Sequence, residues 1–208
     1  MNIWFASGNS HKKKELAEIL SGSIKFKDWE LKIPSEAGIK FAAEESGKSF
    51  LENALIKARE LYHSAIHLDV WHPSAFVIAD DSGLCVDALE GRPGIHSARY
   101  GGEKLSAAEK NALLLSELGD NPNRKARFVC AMVLYCGDGR FFAVQETMEG
   151  ELVKAAKGEG GFGYDPILFI PELGRTVAEL SDEEKNQLSH RGKAGRAIAK
   201  MLDGIIGT

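Results

Sequence analysis

The chain has 208 residues, 44% hydrophobic and 27% charged, with a formal net charge of -4. That describes an ordinary soluble protein of one domain, or one domain in two lobes, long enough to bury a core without covalent staples. The mild acidity excludes a general nucleic-acid binder but not a nucleotide site, and three scattered cysteines without a CxxC argue against a disulfide framework or a structural zinc. No leader-like segment or apolar run of membrane-spanning length is visible, so a cytoplasmic location is expected.

Asn2 to Ser7 reads as a first strand, Gly8-Asn9-Ser10 as a turn, and His11 to Leu20 as a helix with Leu16, Ile19 and Leu20 at helical spacing. Lys12, Lys13 and Lys14 crowd its first turn, where the helix dipole prefers anions. Cations there make sense beside a bound phosphate, or as a solvated lysine face. Trp29 to Ile33 is a probable strand, followed by a loop to Gly47 that carries Glu36, Glu44 and Glu45. A helix is expected over 49–65, with Phe50, Ala54, Ala58, Tyr62 and Ala65 on one face and Asn53 and Lys57 sharing another. His67 to Ser74 reads as a polar connection.

The apolar run Phe76 to Ala79 stops at two adjacent carboxylates, Asp80 and Asp81, followed by Ser82 and Gly83. A buried strand ending in acids would put negative charge at a sheet edge, where α/β folds bind ligands. Paired carboxylates call for a metal, a proton or a basic substrate. Ser106 and Glu109 form a capping box for a helix with Leu113, Leu114 and Leu118 as its buried stripe. Arg127 to Cys136 reads as a central strand, and Gly137-Asp138-Gly139 turns it into a partner running to about Glu149. After a glycine-rich loop at Gly158 to Asp165 come a short strand, Ile167 to Ile170, a capping box at Ser181 and Glu184, and a last helix over 190–202. That helix is expected to turn Ala194, Ala197, Ile198, Met201 and Leu202 inward. Strands alternating with helices and then a hairpin give an α/β fold with a mixed central β-sheet flanked by helices.

Three motifs fail. Gly47-Lys48-Ser49 resembles the end of a phosphate loop, but position 42 is Ala where the pattern needs Gly. Gly158, Gly160 and Gly163 match GxGxxG in spacing, yet Pro166 prevents a helix from opening there. His63 and His67 lack a third zinc ligand at suitable spacing.

Five patches remain: Ser7 to Lys12; Glu44-Glu45 with Asn53 and Lys57; Asp80-Asp81-Ser82; Gly160 to Pro166; and Lys185 to Gly192. They hold the acids, lysines and glycine-flanked aromatic that a nucleoside triphosphate with Mg²⁺ needs. Singly, each also reads as an ordinary turn or surface charge. In order and along the whole chain, the stretches SGNSHKKKEL, ESGKSFLENALIKA, ADDSGLCVDALEGRPGIHSARY, GGFGYDPILFIP and AELSDEEKNQLSHRGKA resemble the inosine triphosphate pyrophosphatase (Ham-type) family.

The resemblance implies a single two-lobed domain over 1–208, with an active-site cleft between the lobes and a homodimeric assembly. It implies hydrolysis of deaminated purine nucleotides (ITP, dITP, XTP) to the monophosphate and pyrophosphate, which keeps them out of DNA and RNA. Asp81 would be the general base and a metal ligand, with Glu45 and Asp80 supporting Mg²⁺. Ser7, Gly8, Asn9, Ser10, His11, Lys12, Lys57 and Ser82 would hold phosphate and sugar. Phe162 would stack on the base, with Gly163, Tyr164 and Asp165 around it, and Lys185, His190 and Arg191 would close the pocket. Departures are small: Ser7 and Ser49 stand where the family often has Thr, and the His67 to Ser74 region is longer than usual. The rival readings are a Maf-like pyrimidine nucleotide pyrophosphatase and a non-catalytic nucleotide sensor. The Gly160 loop with Ser189-His190-Arg191 argues against the first, and the Asp80-Asp81 pair against the second.

Overall fold

The computed structural model describes residues 1–68 and 75–207. In chain order these form β1 (Asn2–Phe5), α1 (Ser10–Ser21), β2 (Glu30–Lys32), α2 (Phe50–Ala65), β3 (Phe76–Val86), α3 (Ala107–Leu118), β4 (Lys125–Gly137), β5 (Arg140–Leu152), β6 (Leu168–Ile170), β7 (Arg175–Thr176), α4 (Asp182–Leu188) and α5 (His190–Ile206). The sheet order is β2-β1-β3-β4-β5-β6-β7. It is mixed, because β1 runs parallel to both β2 and β3 while β6 runs antiparallel to β5 and β7. This is the expected α/β class. Most of the expected connection from His67 to Ser74 lies outside the described residues. No helix among the described residues is long and apolar enough to cross a membrane.

The chain divides into two compact units. The first comprises Met1–Asp81, Cys130–Glu146 and Arg191–Thr208; the second comprises Ser82–Val129 and Thr147–His190. In the first unit both faces of the sheet are covered. Ile3, Phe5 and Ile78 pack with Leu16 and Leu20 of α1 and Ile198 and Leu202 of α5. Trp4, Val77 and Ala79 point the other way, onto Ala54, Ala58 and Leu61 of α2. This alternation is the two-residue period of a strand, with both faces dry. In the second unit Leu84, Val86, Phe128 and Met148 pack with Leu114 and Leu118 of α3 and with Ile167 and Leu168.

Several expectations are corrected. The third strand does not stop at Ala79 but continues through Asp80 and Asp81 to Val86, because both carboxylates find partners inside the fold. Leu114 and Leu118 of α3 are buried as expected, but Leu113 is exposed and Asn111 takes the third inward position. Tyr62 is only half-buried, and Leu61 packs in the core of α2's inner face instead. On α5 Met201 packs against the core as expected, while Ala197 is half-buried and Ala199 takes a fully buried place. The β4–β5 turn has Asp138 and Gly139 both at positive φ, as a tight two-residue hairpin demands.

Candidate active site

The period-two alternation of β3 decides where its acids go. Asp80 follows Ile78 onto the face covered by α1 and α5, and Asp81 follows Ala79 onto the face covered by α2. The two carboxylates therefore serve different partners.

Asp80 is 1% exposed. Its oxygens take Lys12 Nζ at 3.0 Å and Arg191 Nη2 at 3.1 Å. Arg191 in turn holds Glu15 at 2.6 Å. Burial alone would lower the Arg191 pKa, but Asp80 and Glu15 outweigh it and raise it. Asp80 and Arg191 are buried against each other, with the guanidinium donating to the carboxylate. Glu15 was missed by the sequence reading, although it sits beside the Leu16 and Ile19 stripe, three residues after Lys12.

On the other face, Asn53 Nδ2 donates to Asp81 Oδ2 at 3.1 Å, and Lys57 Nζ lies 3.4 Å from Asp81 Oδ1 and 2.8 Å from Glu45 Oε1. Burial raises the Asp81 pKa and the nearby Glu45 charge adds to this, while Lys57 and Asn53 oppose it. Lys57 is pulled down by burial, yet Asp80, Asp81 and Glu45 leave its pKa raised, so it stays an ammonium. Of the two loop acids it is Glu45 that shares this cation with Asp81. Gly47 explains the false phosphate loop. Its N–H donates to Asn53 Oδ1 at 2.8 Å, and a Cβ there would meet that oxygen at 2.7 Å. Ser49 accepts from the Glu52 N–H as the N-cap of α2. The GKS triplet is a helix entrance that fixes Asn53, which in turn orients Asp81.

Ser7, Gly8, Asn9, Ser10 and His11 form the start of α1. Asn9 accepts the Lys12 N–H at 3.1 Å, and its own N–H goes to Ser7 Oγ at 3.1 Å. Gly8 to His11 are exposed. Of the three lysines, Lys12 turns inward to Asp80, Lys13 pairs with Glu36, and Lys14 lies 3.8 Å from Glu18.

The second unit holds the rest. Asp165 Oδ2 accepts the Phe162 N–H at 2.7 Å and Lys185 Nζ at 2.8 Å, and Lys185 Nζ lies 4.5 Å from the Phe162 ring centroid. Tyr164 is buried, and its hydroxyl donates to the Ser97 carbonyl at 2.9 Å. Gly163 and Ser82 are half-buried. The His190 ring stacks on Phe128, with centroids 4.9 Å apart. Ser97, Asn111 and Phe128 are contacts that the sequence reading did not single out.

The oxygen set of Glu45 and Asp81 fits a hard divalent cation. Both carboxylates already converge on one ammonium, and each raises the cost of the other's charge. Asp80 is held by Lys12 and Arg191 on the other face of the strand. Among the described residues no group of three or more His, Cys, Asp or Glu side chains gathers as a metal cage.

The model of the Ham1 family matches residues 3–201. The chain belongs to the Ham1 family. It is 48% identical over 207 residues to the dITP/XTP pyrophosphatase of Treponema denticola, covering 98% of this chain and 100% of that relative. The Ham1 protein of Staphylococcus aureus superposes with a TM-score of 0.83 at 39% identity, covering 99% of this chain and 100% of that one. That of Coxiella burnetii gives 0.85 at 35% identity, with 98% and 99% covered. Membership agrees with the resemblance seen in the sequence, and the mixed sheet is the fold these proteins share.

Proposed function

We propose that this protein hydrolyses deaminated purine nucleoside triphosphates (ITP, dITP and XTP) to the monophosphate and pyrophosphate, clearing them from the nucleotide pool. The observation that carries the reading is the Glu45–Lys57–Asp81 cluster, two carboxylates and a buried ammonium oriented by Asn53. Near-full-length similarity to a dITP/XTP pyrophosphatase supports it.

Asp81 is the general base. Its raised pKa suits proton removal from a water that attacks the α-phosphorus in line. Glu45 and Asp81 would hold Mg²⁺, which supplies charge neutralisation to the triphosphate. Lys57 and Lys12 offset charge on the departing pyrophosphate. The Ser7 to His11 segment, with the exposed start of α1, holds phosphate, and Ser82 holds sugar or phosphate. Asp80 and Arg191 keep Lys12 and the start of α5 in place.

On the base side, Phe162 stacks on the purine, with Gly163 and Tyr164 shaping its loop. Lys185, steadied by Asp165, and His190, steadied by Phe128, supply the polar contacts. A 6-keto purine accepts hydrogen bonds where adenine donates, so donors in this pocket reject adenine. The reading extends to a single ITPase-like domain over 1–208 located in the cytoplasm, and to a homodimer, which sedimentation of the purified protein tests.

The deciding experiment is pyrophosphate release from ITP, XTP, GTP and ATP with Mg²⁺ and after its removal by EDTA. Strong preference for ITP and XTP, lost with EDTA, is expected. Equal rates on ATP, or full activity in EDTA, would overturn the reading.

A further inference from the structure

The inward face of α3 carries one residue that the proposed chemistry does not use. Asn111 stands where Leu114 and Leu118 continue the buried stripe, and it is 4% exposed. Its Nδ2 donates to the Gly163 carbonyl at 3.1 Å, while its Oδ1 is buried and meets no hydrogen-bond partner among the described residues. Burying an amide with one end unmade is unfavourable, and a leucine at this position would avoid that cost. What the position gains from asparagine is the donor to Gly163.

That donor falls at a telling point. The Phe162 N–H is held by Asp165 at 2.7 Å, so the backbone is gripped just before the aromatic ring. Asn111 grips the carbonyl of the residue just after it. Gly163 has φ +64, and with Gly161 at φ +69 the ring is flanked by backbone that lacks a Cβ to restrict it. In such a segment each backbone hydrogen bond adds directly to its order. We infer that Asn111 is a positioning residue which fixes the Phe162 ring as a preformed stacking platform, and so sets base affinity without touching the substrate. This rests on the reading of Phe162 as the base-stacking residue. Preorganisation lowers the ordering cost at binding, so its loss appears in affinity rather than in the chemical step.

The test compares wild type with Asn111→Leu, which fills the space with an apolar side chain, and Asn111→Ala, which removes the amide and its donor altogether. Both variants are expected to raise KM for ITP about tenfold, the scale of one hydrogen bond, with kcat within about threefold. Hydrogen exchange at the amides of Phe162 to Asp165 is expected to quicken in both. An unchanged KM and unchanged loop exchange in the folded variants would reduce Asn111 to a packing residue and overturn the inference; so would a loss confined to kcat. Should wild type release no pyrophosphate from ITP, the proposed function fails, and the exchange measurement still decides whether Asn111 orders the loop.

Discussion

Asp80 and Asp81, adjacent in sequence, face opposite sides of β3: Asp80 meets Lys12 and Arg191, and Asp81 meets Asn53 and Lys57. The two acids must therefore fail differently. Asp80→Asn removes one of the two carboxylates that hold the buried Arg191, and the charge facing Lys12, which is expected to destabilise the fold by up to about 3–5 kcal/mol, read from urea unfolding. Asp81→Asn is expected to cut pyrophosphate release from ITP at least ~10²-fold, the scale for a missing general base. Its effect on stability should be slight or favourable. Burial raises the folded pKa of Asp81, so its contribution is present at acid pH and lost as pH rises through the folded value; at neutral pH its charge opposes folding. A stable, active Asp80→Asn protein would refute this division of roles.

Gly47 tests the path from loop to base. A Cβ at this position would lie 2.7 Å from Asn53 Oδ1 and 3.0 Å from the Asn53 backbone nitrogen. Backbone cannot yield as a side-chain tip does, so Gly47→Ala is expected to destabilise by about 1–3 kcal/mol, the range for overpacking. It should also lower kcat, since Asn53 orients Asp81. Wild-type kcat in Gly47→Ala would show that Asn53 does not need Gly47 to hold Asp81.

The Lys185–Asp165 pair is buried, with side chains 6% and 5% exposed. Lys185→Met or Asp165→Asn alone is expected to cost up to about 3–5 kcal/mol, because each removes the opposite charge beside a buried one. The double variant should recover much of that loss, a coupling measurable in a double-mutant cycle. Its KM for ITP should remain high, since the ammonium beside Phe162 is gone. Additive losses in the cycle would count against a direct pair.

Tyr100 gives a pH signature away from the site. Burial, with a hydrogen bond to Glu117, pushes its phenol up to about 12. A raised folded value means the stabilisation is complete below the unfolded pKa, about 10 for tyrosine, and is lost as pH climbs through the folded one. Absorbance titration of the native protein should show a phenol ionising near 12 that Tyr100→Phe removes. The stability gap between the two proteins should close over the same alkaline window. Ionisation of every tyrosine near the ordinary value would contradict the pairing.

The elements were largely legible because local rules govern them. Ser106 with Glu109 and Ser181 with Glu184 form the expected capping boxes. The Gly137-Asp138-Gly139 turn places the hairpin. What misled were signals that read alike in two contexts. An apolar run meeting two acids looks like a strand end, yet here the strand continues because the acids are neutralised from either side. The lysines of α1 look alike in sequence, but only Lys12 turns inward to Asp80.

The sequence by itself determined the fold class, the family and the residue types of the candidate site, because periodicity, caps and motif order are written along the chain. Only the tertiary structure decided how those residues pair. The two-residue period of β3 sends Asp80 to Arg191 and Asp81 to Lys57, from partners 111 and 24 residues away. Which distant side chain arrives on each face depends on the packing of α1, α2 and α5, and no local pattern encodes it. The same holds for Asn111, whose donor reaches Gly163 across 52 residues.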